Sequence, residues 1–352
     1  MYGLSWNSIQ ENCFANRLLS NENLDKFRYI ARSSHLLYAM IISLSTLSSS
    51  SQLDELNGRV SMQPNNNSNC QRVAVVTGAT GAIGQAIARG IASNPGYAVV
   101  LVVRDEAKAK RALRQVIQAT GSDQVRYEIA DLGRQADINA LAGRWQGPLH
   151  VLVNNAAASP RSRQDTSEGI EVQFAVNVLG YFRMIRAFEN ALKRTAAAGN
   201  NLSPRPGREG AAKQVSPVRA VRVINVASYY AGDLDLSDLE FKRRRYNNRS
   251  AYRQSKQADR MLTAAFAERL EAHGISVNAC HPGDVNSRLS NDLGFGGFET
   301  PEQGADTPVW LAISEAGGQE SGRFFENRRV VRDPFTQDKK AVERLFQICT
   351  AY

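Results

Sequence analysis

The sequence Thr77-Gly78-Ala79-Thr80-Gly81-Ala82-Ile83-Gly84 joins a short apolar run, residues 73–76, to a helical stretch, residues 84–92. Glycines permit a tight turn and let a phosphate approach the backbone N–H groups at a helix N-terminus. A glycine-rich turn between a buried strand and a helix is typical of dinucleotide-binding folds. The predicted cofactor-binding residues of this turn are Gly78, Thr80, Gly81, Ile83 and Gly84.

Strands alternate with helices after this turn. The further predicted strands are residues 98–103, 125–129, 151–153, 221–226 and 276–280, and the helices between them are residues 106–119, 136–145, about 168–193 and about 250–272. Such alternation predicts a parallel sheet covered by helices on both faces. With right-handed crossovers, the chain is expected to form a single doubly wound α/β domain of the Rossmann type.

Three regions follow from the composition along the chain. Residues 1–70 are rich in Ser and Asn, which predicts an extension that is disordered or acts in targeting. The most apolar stretch of this extension, residues 36–47, is shorter than the ~20 residues that span a membrane. Residues 71–332 form the domain, with a surface insertion at about 195–219. Residues 333–352 contain a helix, residues 339–349, whose apolar spacing predicts docking on the domain.

The composition is that of an ordinary globular protein and gives no sign of a metal site. Apolar residues make up 43% and charged residues 22% of the 352 residues, as in soluble globular chains. The four Cys and four His form no metal-binding pattern, so no metal is expected.

The net charge of +9 is concentrated in residues 193–222 and 241–254. A nucleic-acid-binding fold would organise its basic residues around a recognition element, so no nucleic-acid partner is expected, whereas membrane contact stays open.

The end of the second strand predicts the choice of cofactor. An acidic residue there would bind the ribose hydroxyls of NAD, whereas an Arg can pair with the 2′-phosphate of NADP. Arg104 stands at this strand end, and Asp105 follows one position later. NADP is therefore the predicted cofactor; the other interpretation is that Arg104 only caps a surface turn.

Tyr252 and Lys256 predict acid–base chemistry. They share one face of a predicted helix at i and i+4, 24 residues after Ser228. A carbonyl that is being reduced needs a proton on its oxygen, and a free Tyr has a pKa of ~10. A neighbouring ammonium lowers the pKa of the phenol, and a Ser hydroxyl can hold the carbonyl oxygen. A Tyr–Lys pair at this spacing also arises by chance, so the pair alone is weak evidence.

In this order, the motifs resemble the short-chain dehydrogenase/reductase family, and in particular its retinol-dehydrogenase-like branch, over about residues 72–332. The resemblance implies that Ser228, Tyr252 and Lys256 are catalytic, with Asn177 supporting a proton relay, and that Tyr252 and Lys256 also contact the cofactor. The other cofactor contacts that it implies are Asp131 and Leu132 after the third strand, Asn155 and Ala156 after the fourth, and Pro282, Gly283, Val285 and Ser287 after the sixth.

Two residues depart from the family pattern near the cofactor. Ala82 and Ala157 stand where the pattern usually has Gly. Each adds a methyl group, for which we expect a small loss of affinity. The insertion at 195–219 has no counterpart in the pattern.

The resemblance implies an NADP(H)-dependent oxidoreductase that transfers a hydride between nicotinamide and a carbonyl or alcohol substrate. Glycines and apolar residues in the segment 288–298 suggest a movable cover and an apolar aldehyde or ketone. Arg243, Arg244 and Arg245 are candidates for attracting acidic substrates or an anionic membrane surface. A homodimer and an intracellular location, cytoplasmic or organellar (a plastid included), are also expected.

Three alternatives stay open. The first is a non-catalytic NADP-binding redox sensor or interaction protein. The second is a scaffold whose basic loop binds nucleic acid or membrane. The third is a light-driven enzyme resembling protochlorophyllide reductase, against which Ser228 and the lack of a cysteine beside the Tyr–Lys helix argue.

Overall fold

The structure is a computed structural model that describes residues 71–200 and 219–352. It contains a sheet of eight strands in the order β3-β2-β1-β4-β5-β6-β7-β8. The strands are β1 Arg72–Thr77, β2 Tyr97–Val103, β3 Val125–Ile129, β4 Val151–Asn154, β5 Val221–Val226, β6 Ile275–Cys280, β7 Phe324–Glu326 and β8 Arg329–Val331. All neighbours are parallel except β7 and β8.

Helices connect the strands. They are α1 Ala82–Ala92, α2 Glu106–Thr120, α3 Gln135–Gly143, α4 Gly180–Asn200, α5 Asn248–Leu270, α6 Arg288–Asp292, α7 Pro301–Ile313 and α8 Lys339–Ala351. A π-helical turn, Phe174–Leu179, leads directly into α4. Because β1 lies between β2 and β4, the chain reverses its direction of winding between β1 and β4. In open α/β sheets, ligands bind at the carboxyl ends of the strands at this point.

The central strands are buried on both faces, and this explains their continuous apolar sequences. Every residue of β2, β4, β5 and β6 is buried. The core has two large clusters, one on each face of the sheet, and a third small cluster of Ala227, Ala279 and Phe324. One cluster packs β1, β4 and β5 against α4, α5 and α8, and the other packs the opposite face of the sheet against α1, α2 and α7. The doubly wound Rossmann fold predicted from the sequence is therefore confirmed.

Several elements differ from the prediction. The helix expected at 168–193 begins only at Gly180, after the π-helical turn, and continues to Asn200. Residues 195–200 thus belong to α4 and not to the insertion, whose residues 201–218 lie outside the described residues, as do residues 1–70. The sequence pattern does not predict α7 or the hairpin of β7 and β8. Since each strand of this hairpin has only three residues, it is too short to show an alternation of apolar and polar residues.

The C-terminal helix packs against the body of the domain. Val342, Leu345, Phe346 and Cys349 of α8 are buried. Phe346 packs edge-on against Phe182 of α4, with ring centroids 5.1 Å apart. Among the residues that the structure describes, no helix combines the length and the apolar character that a membrane span requires.

Candidate active site

The glycine turn after β1 is closely packed. Gly78 has a φ of +65°, and a Cβ atom at this position would lie 2.6 Å from the Cα of Ala156. A Cβ at Gly84 would lie 2.4 Å from the carbonyl oxygen of Gly78. Only glycine fits these two positions, because the turn must fold back on itself and pass directly beside the end of β4.

Side chains from β1 and β4 hold the turn in place. The hydroxyl of Thr77 accepts hydrogen bonds from the backbone N–H groups of Asn155 (2.9 Å) and Ala156 (3.1 Å). The amide of Asn155 in turn donates to the carbonyl oxygen of Thr77 at 2.9 Å. Asn155 and Ala156 thus lie beside the glycine turn.

The N-terminus of α1 suits the phosphates of a dinucleotide. Thr80 and Gly81 are exposed, and Gly81, the N-cap residue, has no side chain that could cap the first turn of the helix. Uncapped N–H groups at a helix N-terminus bind anions through their hydrogen bonds and through the helix dipole. Ala82 is the first residue of α1, so its methyl group lies at the edge of this turn. The donor groups present therefore fit a pyrophosphate.

Arg104 and Asp105 have different surroundings at the end of β2. Asp105 caps α2: its carboxylate accepts a hydrogen bond of 2.8 Å from the backbone N–H of Lys108. Arg104 is exposed. Asp131, after β3, accepts a hydrogen bond from the N–H of Gly133 at 2.9 Å and is not the cap of α3, which begins after Arg134. Leu132 is buried.

Ser228, Tyr252 and Lys256 come together at the carboxyl end of β5. Ser228 follows this strand, and its hydroxyl accepts a hydrogen bond of 3.0 Å from the N–H of Tyr230. Tyr252 and Lys256 lie one turn apart on α5, with the ammonium nitrogen of Lys256 5.9 Å from the ring centroid of Tyr252. All three side chains are buried. The structure thus brings together the three residues that the sequence predicts to be catalytic.

Opposing effects act on the phenol of Tyr252. Burial raises its pKa above the ordinary value, while the Lys256 ammonium and the Ser228 hydroxyl lower it. Asp259 and Asp284 add to the rise. The net effect is a raised pKa, so the phenol is protonated at neutral pH.

Asn177 connects two segments of the site. It lies fully buried in the π-helical turn. Its side-chain oxygen accepts a hydrogen bond from the N–H of Ala158 at 2.8 Å, and its amide donates to the carbonyl oxygen of Ala158 and to the hydroxyl of Ser255, each at 3.1 Å. Asn177 therefore fastens the segment after β4 to the helix that bears Tyr252 and Lys256.

The Pro-Gly turn after β6 closes the site from the other side. Gly283 has a φ of +94°, and a Cβ there would collide with the carboxylate of Glu299. Val285 is buried, whereas the hydroxyl of Ser287 caps α6 by accepting a hydrogen bond of 3.1 Å from the N–H of Ser290. Burial lowers the pKa of His281 to about 4, so this residue is neutral.

Aromatic side chains surround the mouth of the site. Tyr229, Phe295 and Phe298 are exposed, and Tyr230 packs edge-on against Phe295 with centroids 4.7 Å apart. The guanidinium of Arg249 lies 5.2 Å from the ring centroid of Phe295. The segment 288–298 thus presents apolar rings beside positive charge.

The arginines that the sequence suggested for acidic partners are engaged within their own loop. Arg244 pairs with Asp238 at 3.2 Å and lies over the ring of Phe241 at 4.4 Å. Arg243 donates a hydrogen bond of 2.7 Å to the carbonyl oxygen of Ser237. Only part of the positive charge of this cluster is therefore available to a partner.

Two residues around Lys256 were not found from the sequence. The Lys256 ammonium lies 4.9 Å from the ring centroid of Tyr181, on α4, and 2.8 Å from the carboxylate of Asp259, on α5. The i, i+3 spacing from Lys256 to Asp259 is visible in the sequence. The contact with Tyr181 depends on the packing of α4 against α5 and has no signal in the sequence.

Comparison with known proteins assigns this chain to a family. The family model described as short chain dehydrogenase matches residues 72–201 and 240–294. The chain is 29% identical to mouse (Mus musculus) retinol dehydrogenase 13 over 296 residues, 78% of this chain and 81% of that protein. It is 31% identical to mouse polyprenol dehydrogenase over 274 residues, 73% of this chain and 76% of that protein.

A solved structure shows the same fold. The 3-ketoacyl-(acyl-carrier-protein) reductase from Brucella melitensis, solved with NADH, is similar to this structure with a TM-score of 0.52 and 23% sequence identity, covering 73% of this chain and 96% of that chain. The chain therefore belongs to the short chain dehydrogenase family of oxidoreductases, within its retinol-dehydrogenase-like branch.

Proposed function

We propose that this protein is an NADP(H)-dependent oxidoreductase that interconverts an apolar aldehyde or ketone and the corresponding alcohol. The observation that carries the proposal is the convergence of Ser228, Tyr252 and Lys256 at the carboxyl end of β5, on the same edge of the parallel sheet as the glycine turn after β1. Ser228 and Tyr252 come from separate parts of the chain, the end of β5 and α5, and both are buried. A proton donor, a hydroxyl partner and a fixed positive charge are what proton transfer to a carbonyl oxygen requires.

The preference for NADP over NAD rests on the end of β2. The carboxylate of Asp105 already caps α2, and Arg104 next to it is exposed. A guanidinium binds a phosphate through charge-assisted, bidentate hydrogen bonds. Arg104 is thus the residue that would bind the 2′-phosphate, while the N-terminus of α1 would hold the pyrophosphate.

The bound nicotinamide supplies the hydride chemistry, and the residues of the chain position the substrate and move the proton. The hydroxyl of Ser228 holds the substrate oxygen, and the phenol of Tyr252 donates its proton to that oxygen during reduction and accepts it back during oxidation. Lys256 stabilises the phenolate left by this transfer. Asn177 holds α5 in place through Ser255, next to Lys256, with a 3.1 Å hydrogen bond.

The surroundings of the site favour an apolar substrate. Tyr229, Phe295 and Phe298 offer exposed rings at its mouth. Gly294, Gly296 and Gly297 all have positive φ values, so this segment is rich in positions that can change conformation when a substrate enters. The names of the two curated relatives, retinol and polyprenol dehydrogenase, fit an apolar alcohol or its carbonyl product.

A fluorescence titration of the full-length protein with NADPH and, separately, with NADH tests the cofactor. We expect NADPH to bind at least tenfold more tightly. Apolar aldehydes are then reduced with NADPH by the wild type, while Tyr252→Phe binds NADPH normally but loses reduction by several orders of magnitude. Equal reduction by Tyr252→Phe would refute the catalytic role of Tyr252. Tight NADPH binding without reduction of any aldehyde or ketone tested would instead favour a redox sensor.

A further inference from the structure

Asp259 lies directly beside the Lys256 ammonium. It follows Lys256 by three residues on α5, and its Oδ2 atom is 2.8 Å from Nζ of Lys256. The exposed fractions of the two side chains are 0% and 2%. The ammonium donates a second hydrogen bond, of 2.9 Å, to the carbonyl oxygen of Val226 at the end of β5. Lys256 is therefore held between a strand end and a carboxylate.

Burial of the Asp259 carboxylate is energetically unfavourable. Its Oδ1 atom is buried and has no hydrogen-bond partner among the residues that the structure describes. A buried charge with an unsatisfied oxygen costs stability, and pairing with Lys256 offsets only part of that cost. Replacing a whole buried ion pair by apolar residues is often neutral or stabilising, so stability alone does not explain this pair, and we attribute Asp259 to its action on Lys256.

The pair changes the charge that Tyr252 experiences. An isolated ammonium favours the phenolate, but the carboxylate 2.8 Å from it opposes this effect and acts to raise the pKa of Tyr252. Burial raises the pKa of Asp259 and the Lys256 ammonium opposes this rise. Burial acts to lower the pKa of Lys256, yet Asp259 holds it above its ordinary value. The ion pair is thus charged at neutral pH.

Other titratable groups around the pair do not reverse this balance. Tyr181 of α4, Cys280 of β6 and Cys349 of α8 face it, and burial raises the pKa of each, so all three are neutral at pH 7. Asp284, after β6, is a second carboxylate that favours protonated Tyr252. His281, also after β6, is neutral because burial lowers its pKa to about 4.

We propose that Asp259 is a positioning residue that holds Lys256 and offsets its charge, so that Tyr252 keeps its proton and the site favours carbonyl reduction over alcohol oxidation. Reduction consumes the phenol proton, which passes to the substrate oxygen as the O–H bond of Tyr252 breaks. Oxidation requires the phenolate, which accepts the proton of the alcohol. This inference rests on the proposed function, because it assumes that Tyr252 is the acid.

The pH titration of Tyr252 tests the effect directly. The full-length protein is labelled with [¹³Cζ]tyrosine, and the Tyr252 resonance is assigned by its absence in Tyr252→Phe. In Asp259→Asn, we expect the titration midpoint of this resonance to fall by about one pH unit relative to the wild type. Asp123→Asn removes the same charge from an exposed position at the amino end of the sheet, and its midpoint is expected to match the wild type.

The kinetics provide a second readout. In Asp259→Asn, the alkaline limb of the pH profile of kcat/KM for aldehyde reduction is expected to move to lower pH by the same amount. The kcat of alcohol oxidation at pH 7, divided by the kcat of reduction with both reactions saturated in substrate and cofactor, should rise by roughly tenfold, since one pH unit is tenfold in the fraction ionised. If Tyr252 ionises only above the pH at which the protein unfolds, the NMR titration gives no midpoint, and the pH profiles of kcat/KM then decide whether Asp259 has the proposed role.

An unchanged or raised midpoint in Asp259→Asn, with unchanged pH profiles, would overturn the inference. Asp259→Ser, which leaves room for a water molecule, is the second variant, so that the result does not depend on one substitution folding. The NMR titration needs neither cofactor nor substrate. If the titration midpoint of Tyr252 shifts but the protein reduces no carbonyl, the proposed function and the preference for reduction are refuted. If the protein is a normal reductase but the midpoint does not shift in Asp259→Asn, only the role of Asp259 is refuted.

Discussion

The side-chain amide of Asn177 donates a hydrogen bond of 3.1 Å to the hydroxyl of Ser255, the residue immediately before Lys256 on α5. Asn177 itself lies in the π-helical turn that precedes α4. π-Helical turns are frequent at functional sites because they displace one residue from the regular helical spacing. Here Asn177 links this turn to α5 and to the segment after β4, near the candidate catalytic residues.

Replacing Asn177 by Ala should destabilise the protein and impair catalysis. The partly buried N–H and carbonyl groups of Ala158 would lose their partner, which costs about 2 kcal/mol. We expect urea unfolding to show this loss and kcat to fall more than KM rises, because α5 carries Tyr252. Gln118→Ala, which removes an exposed amide from α2, should change neither. An Asn177→Ala enzyme with wild-type stability would contradict the role of these hydrogen bonds.

The glycine turn offers a matched pair of substitutions. Gly78 and Gly121 have φ values of +65° and +69°, but a Cβ at Gly78 would strike Ala156, whereas none of its neighbours lies within 4 Å of a Cβ at Gly121. Gly121→Ala should cost about 1 kcal/mol for the left-handed backbone alone. Gly78→Ala should cost about 3 kcal/mol, because steric overlap adds to the strain, and should abolish NADPH binding. Thermal unfolding and fluorescence titration measure both; equal effects would mean that the turn relaxes around the added methyl group.

We expect a substitution of Arg104 to change the choice of cofactor and a substitution of Asp105 to change stability. Arg104→Gln should weaken NADPH binding about 10- to 100-fold and leave NADH binding unchanged, because charge-assisted hydrogen bonds to the 2′-phosphate are lost. Asp105→Ala should leave the preference for NADPH intact but cost about 1 kcal/mol of stability through the loss of the α2 cap. The reverse assignment, in which Asp105→Ala alters the preference, would contradict the proposed role of Arg104.

Two ion pairs join α5 to the C-terminal segment, and they should differ in strength. Arg260 and Asp333 pair at 2.9 Å with side chains only 5% and 9% exposed, and the guanidinium lies 3.7 Å from the ring centroid of Phe324. Asp333→Asn leaves the buried charge of Arg260 without its partner, so we expect a loss of about 3 kcal/mol. Glu343→Gln breaks the exposed pair with Arg269 and should have little effect. Comparable losses of stability, measured by urea unfolding, would refute the distinction.

His150 should make stability depend on pH. Burial, and after it the charge of Arg72, lowers the pKa of His150 to about 4 in the folded protein, and its Nδ1 atom accepts a hydrogen bond of 3.0 Å from the N–H of Val73. Between pH 6.5 and about 4 the unfolded chain binds a proton that the folded chain does not, so the free energy of unfolding falls as the pH decreases.

His150→Gln, which keeps an acceptor but does not titrate, should flatten this dependence in urea unfolding between pH 7 and pH 4. Part of the slope should persist because burial lowers the pKa of His281 to about 4 in the same direction. His273→Gln is the control, since it removes an imidazole that is exposed. A slope equal to that of the wild type in His150→Gln would show that His150 is not the titrating group.

Short motifs were sufficient to predict the main features of the fold. The glycine turn and the apolar runs of β1 to β6 indicate a parallel sheet because both faces of such strands are buried. Ser228, Tyr252 and Lys256 could be selected from the sequence since proton transfer requires these residue types, and their order matches the family pattern. The i, i+4 spacing is sufficient to predict that Tyr252 and Lys256 share one helix face.

Contacts between distant segments could not be predicted in this way. Asn154 of β4 donates a buried hydrogen bond of 2.9 Å to Asn225 of β5, and Asn225 donates one of 2.9 Å to Thr263 of α5. Nothing in a local pattern distinguishes these residues from other polar residues. The start of α4 was also predicted incorrectly, because the residues of the π-helical turn have no distinguishing periodicity.

The amino-acid sequence by itself determined the fold class, the glycine turn and the identity of the candidate proton donor, because each depends on local periodicity or on the chemistry of single residues. Only the tertiary structure decided how the charges around that donor are balanced. Asp259, Tyr181 and the carbonyl of Val226 surround Lys256 from two helices and a strand end. The protonation of Tyr252 depends on burial and on distances of a few ångströms between these groups, and packing sets both.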